Sequence, residues 1–200
     1  MDERVRQLEA RFSEVTFKVF TIAEQLGRTP HLSSLLRKVR KLGFADPEAL
    51  RKLAVIRGCD HYRRPDDNLG AINDPGERTL PDVELAFAML TASQTFDPRA
   101  IRAAVQLLSG ADMSPRDIVR LAIWERCESL IRNVAEAAER FDEGNRAFWR
   151  EISSALKEAP EVPEGRLPHP SRYYLESGFT RGKGESGARR IWLRPRRSMA

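Results

Sequence analysis

The chain has 200 residues, 41% hydrophobic and 32% charged, with a formal net charge of +5. That supplies enough apolar content for a core, and no apolar run approaches the about 20 residues of a membrane span, so no membrane association is expected. The opening MDERVRQLEARF is charged from its second residue and lacks an apolar h-region, so no secretory leader is expected, and two isolated cysteines, Cys59 and Cys127, fit a cytoplasmic protein with reduced thiols.

Residues 1–59 read as an N-terminal helical segment. The stretch IAEQLG (22–27), the break at Arg28, Thr29 and Pro30, and HLSSLLRKVRKL (31–42) together look like a helix-turn-helix unit. Leu32, Leu35, Leu36, Val39 and Leu42 would face inward. Ser34, Arg37, Lys38 and Lys41 would face outward, where a recognition helix makes phosphate and base contacts. The competing reading is an ordinary amphipathic helix with a solvated basic face; the proline in the cramped turn and the β-branched run over 15–21 favour it. Residues 28–64 carry ten basic and three acidic groups, a sum of +7.

Asp46-Pro47, Asp97-Pro98 and Ser114-Pro115 each place a capping side chain before a proline at the first helical position, where its missing N–H costs nothing. Ser114 with Asp117, and Thr79 with Asp82, have capping-box spacing, and Gly58 and Gly110 stand where helix-ending glycines belong. The segments 46–54, 97–105 and 114–122 resemble one another, but their unequal separations of 51 and 17 residues rule out a repeat period. Residues 60–78 are polar and turn-rich and read as a long loop.

The predicted bundle core covers 79–158. Val83, Ala86, Phe87 and Leu90 form one stripe; Ile101, Ala104, Val105 and Leu108 form another. Val119, Ile123, Cys127, Leu130, Val134, Ala138 and Phe141 recur at three or four residues, which predicts one long central helix over 115–141, about 40 Å in length. Ile118, Leu121, Ala122 and Trp124 widen its apolar face. A shorter helix over 147–156, with Phe148 and Trp149 as core aromatics, closes the bundle. Residues 65–165 sum to −8, and the acids Glu125, Glu128, Glu136 and Glu139, interspersed with Arg126, Arg132 and Arg140, read as a solvated, ion-paired face.

Residues 159–171 contain Pro160, Pro163, Pro168 and Pro170, a semi-rigid linker expected to hold the tail away from the bundle. The tail, 172–200, is the one place where strands are plausible. Residues 172–179 and 189–193, rich in aromatic and branched side chains, flank a glycine-rich stretch over 180–188 and suggest a β-hairpin. Residues 166–200 hold nine Arg or Lys and two acids, or +7, so residues 1–165 sum to −2.

Possible chemistry is sparse. Gly182 to Gly187 matches G-x-G-x-x-G letter for letter, but no helix follows it, so a dinucleotide site is not expected. Cys59 and His61, two residues apart, lack a second ligand pair for zinc and a third group for a catalytic thiolate. Neither cofactor nor metal is expected, and an enzyme is the lesser expectation.

The sequence therefore predicts an all-α multi-helix bundle with a basic C-terminal arm that has the pattern of a β-hairpin. The expected function is non-catalytic binding, with nucleic acid as the first partner. Arg37, Lys38, Lys41, Arg172, Arg181, Lys183, Arg189, Arg190, Arg194, Arg196 and Arg197 would contact phosphate, and Tyr173 and Trp192 would stack or pack beside them. The alternative is a protein-interaction or oligomerisation module whose arm docks on a partner or a second subunit.

Overall fold

Local capping chemistry sets most helix starts in the computed structural model, which describes residues 19–110, 112–177 and 189–196. Thr21 and Glu24 form a reciprocal capping box over a single turn, α1 (Ile22–Gln25). Ser33 caps α2 (Ser34–Lys41) by accepting the Leu36 N–H at 2.9 Å. Asp46, Asp97 and Ser114 cap α3 (Pro47–Ile56), α5 (Pro98–Leu108) and α6 (Pro115–Trp124), as the proline pairs predict. The Thr79–Asp82 spacing does not cap: α4 (Asp82–Leu90) begins behind Pro81, and Arg57 takes the Asp82 carboxylate at 2.9 Å. Two further helices, α7 (Glu128–Phe141) and α8 (Arg146–Ala155), complete an all-α bundle of eight described helices.

The centre of this bundle is α4, not the 115–141 stripe. Leu85, Ala86, Phe87, Ala88, Met89 and Leu90 are all fully buried, so beyond its acidic first turn the helix is apolar on every side, the signature of a helix surrounded by others. It packs against α2, α3, α5 and α6. The stripe predicted as one long helix is two, because the chain turns at Arg126, whose φ is +53°. Cys127 N–H bonds the Ala122 carbonyl at 3.0 Å and Arg126 N–H bonds that of Ile123 at 3.3 Å, closing a Schellman motif without glycine. The corner is fixed from outside as well: the Glu125 carbonyl accepts the Ala92 N–H at 3.1 Å.

The polar stretch after α3 is tied down by two arginines. Arg51, with no exposed surface, forks onto Glu48 at 2.7 Å, pairs with Asp67 and donates to the Tyr62 carbonyl at 2.6 Å. Arg57 pairs with Asp74 at 2.6 Å and Asp82 at 2.9 Å and donates to the Leu80 carbonyl at 2.6 Å. Beyond α8, Arg132 donates to the carbonyls of Lys157 at 3.0 Å and Ala159 at 2.6 Å, which holds the start of the proline-bearing stretch against the bundle. That stretch does not stand the tail off. It leads back to the core, where Tyr173 and Trp192 belong to the same apolar cluster as Ile22 and Leu85.

Candidate nucleic-acid interface

Strands β1 (Tyr174–Ser177) and β2 (Arg189–Trp192) pair antiparallel, with Tyr174 opposite Trp192 and Leu175 opposite Ile191. Alternation along a strand sends neighbours to opposite faces. Tyr174 and Trp192 face the helices, 9% and 4% exposed, while Leu175 and Ile191 face outward. A two-stranded hairpin is marginal alone and needs such a docked face. Here the Trp192 indole donates to Ser109 Oγ at 2.8 Å, the Gln106 amide donates to the Arg194 carbonyl at 2.7 Å, and Arg196 N–H donates to the Gly58 carbonyl at 2.9 Å. Gly58 has φ +100°, and a Cβ there would lie 2.4 Å from the Arg196 oxygen, so a glycine is required where the tail crosses the end of α3.

The docking corrects one expectation. Trp192 packs its ring against Trp149 and Tyr173, with centroids 6.1 and 5.8 Å apart, and Tyr173 is 1% exposed. Rings sealed this way hold the tail to the bundle and have no face left for a base.

What the hairpin leaves open is a groove of about 640 Å³ between β2 and the corner joining α7 to α8. Arg140, Arg190, Arg194 and Arg196 line it, four guanidinium groups against the carboxylates of Asp142 and Glu143. Arg190 lies over the rings of Phe141 at 5.0 Å and Tyr174 at 5.5 Å, which orients its charge. Arg194 pairs with Asp142 at 2.6 Å, and the same carboxylate accepts the Trp149 indole N–H at 2.9 Å. Arg196 is 83% exposed in its side chain and reaches Asp60 at 3.3 Å. Sequence reasoning placed Arg140 among ion-paired acids and missed it. It stands in the last turn of α7, and only the packing of that helix end beside β2 brings it to the groove.

The remaining predicted contacts fall elsewhere. Arg37, Lys38 and Lys41 line a shallow groove on α2 with Ser34 and Leu42, and Lys38 is paired with Glu84. The helix-turn-helix expectation fails on geometry. Helix α1 is one turn, hydrogen-bonded to the connection after α4 through Ile22 N–H to the Gln94 carbonyl and Ala23 N–H to that of Ala92, both 2.8 Å. Helix α2 starts at Ser34, buries Leu35, Leu36 and Val39, and leaves Leu32 78% exposed. It is thus an amphipathic helix laid on α4. Arg172 is exposed, with its carbonyl accepting the Tyr62 hydroxyl at 2.9 Å. Arg189 begins β2. Arg181, Lys183 and Arg197, with the glycine-rich stretch between the strands, lie outside the described residues.

Other chemistry is absorbed by the fold. Cys59 and Cys127 are buried, which pushes both thiols well above their ordinary range, while His61 is exposed and meets the Tyr62 ring edge-on. Glu125 is not on a solvated face: it is 4% exposed and accepts the Ser33 hydroxyl at 2.6 Å. Glu136 and Glu139 are ion-paired, with Arg132 and Arg150, each at 2.8 Å. Among the described residues no group of three or more His, Cys, Asp or Glu is placed to hold a metal ion, and no helix is long and apolar enough to cross a membrane. No protein-family model, no curated protein and no solved structure matches this chain.

Proposed function

We propose that this protein is a non-catalytic nucleic-acid-binding protein that grips phosphates in the arginine groove. The convergence of Arg140, Arg190, Arg194 and Arg196 from two separate parts of the chain on one groove carries the reading. Guanidinium forks match phosphate oxygens in pairs, and four of them span several phosphates of a backbone. With Tyr173 and Trp192 committed to the core, recognition is of the sugar–phosphate chain and is tolerant of sequence. The two unpaired, buried cysteines suit a reducing compartment, and we place the protein in the cytoplasm.

Deleting the tail would remove core residues, so the clean test changes charge alone. Arg140→Gln and Arg196→Gln alter exposed side chains. Fluorescence anisotropy with labelled single- and double-stranded oligonucleotides, between about 50 and 200 mM salt, is expected to give binding that weakens steeply with salt. Each substitution should lower the log–log salt slope by about 0.7–0.9. Absence of binding in low salt, or a double variant that binds as tightly and as salt-dependently as the unaltered chain, would refute the groove.

A further inference from the structure

Helix α6 buries only Ile118 and Ala122. Trp124 is 66% exposed and Ile123 52%, although the periodicity counted both as core. Of the three tryptophans, Trp149 and Trp192 are sealed in the interior, so Trp124 is the single one in water. With Val119 on the same helix and Ala155 on α8, these side chains line an apolar groove of about 370 Å³. It shares no residue with the arginine groove. Arg120 lies over the Trp124 ring at 5.4 Å and pairs with Asp117 at 2.7 Å, which holds the indole in a defined position.

The rim of this groove carries two exposed charges of opposite sign. Arg116 stands on the α6 wall and Glu151 on the α8 wall, and neither has an ion-pair partner among the described residues. We propose that the occupant is the same groove of a second copy, and that the chain forms a two-fold symmetric dimer through α6 and α8. In a two-fold contact residue i of one subunit meets residue j of the other, and j meets i. A groove with a cation on one wall and an anion on the other is therefore complementary to itself: Arg116 of each copy lies opposite Glu151 of its mate, twice. A uniformly acidic or basic partner would satisfy one wall and repel the other. Tryptophan and arginine around an apolar patch are also the side chains that anchor interfaces.

Sedimentation of the full chain at concentrations up to about 0.1 mM should give a dimer, and Trp124→Glu should weaken it by about ten-fold or more. Because Trp124 is the exposed indole, its emission should move to shorter wavelength as the protein is concentrated, and Trp124→Phe should abolish that shift. Charge reversal provides the sharper test. Arg116→Glu and Glu151→Arg should each weaken self-association, and an equimolar mixture of the two should restore it as a mixed dimer. Both positions are exposed, so circular dichroism should show unchanged folding. A monomer at every concentration overturns the proposal, as does a dimer indifferent to Trp124→Glu or a mixture that fails to recover. None of these readouts involves an oligonucleotide, so they stand or fall apart from the arginine groove.

Discussion

Asp142 shows how much of the tail's attachment passes through one carboxylate. It is 4% exposed, accepts the Trp149 indole N–H on one oxygen and Arg194 on the other, and so links α8 to the strand that ends at Trp192. Removing it leaves the Trp149 donor buried without an acceptor, since that ring has no exposed surface. Asp142→Ala is expected to cost about 1–3 kcal/mol, chiefly from the unsatisfied indole, read as a lowered denaturant midpoint. The half-exposed Arg194 contributes little to that loss, because water screens its charge. Nothing in the sequence marked Asp142. It follows Phe141 at a helix end among other acids, and its partners lie 7 and 52 positions away.

At the scale of elements, legibility followed the range of the forces involved. The proline-started helices were readable because a cap and its N–H are two or three residues apart. The hairpin was readable from its aromatic and branched strands. The corner at Arg126 was not, because the apolar period runs unbroken from Val119 to Phe141 and neither glycine nor proline interrupts it. Tertiary bonds to the Glu125 carbonyl and the burial of Glu125 against Ser33 decide the turn. An arginine in the left-handed region is strained by about 1–2 kcal/mol, part of which glycine returns in unfolded-state entropy. Arg126→Gly should therefore stabilise the protein by about 0.5–1 kcal/mol, measured by denaturant or thermal unfolding. The loop after α3 was readable as a loop but its anchors were not, because Arg51 on the preceding helix and Arg57 at its C-cap lie 16 and 17 positions from Asp67 and Asp74.

Over the whole molecule, the formal charge of a segment overstates what it offers a ligand. The block 28–64 sums to +7, yet Arg51 and Arg57 are consumed by Glu48, Asp67, Asp74 and Asp82 inside the fold, and Lys38 by Glu84. These pairs make stability depend on acid. The Arg51 hydrogen bond holds Asp67 down to about 2, against an ordinary 3.8, and Glu48 and Asp74 are lowered by Arg51 and Arg57 in the same way. A carboxyl with a depressed folded value stabilises the protein above its unfolded value and stops doing so as pH falls through the folded one. Unfolding midpoints should therefore hold at neutral pH and drop between about pH 4 and pH 2. Asp67→Asn should lower stability at neutral pH and flatten that acid limb, whereas an equal slope in the variant would show that the pair does not govern it.

The docking of Arg196 against Gly58 and of Trp192 against Ser109 has a consequence for biosynthesis. Helices α1 to α8 emerge from the ribosome before the residues that seal the space beside α5 and α8, so the nascent chain waits with that flank unsealed. Release of residues 189–196 from the exit tunnel, rather than completion of the last helix, is therefore expected to close the fold.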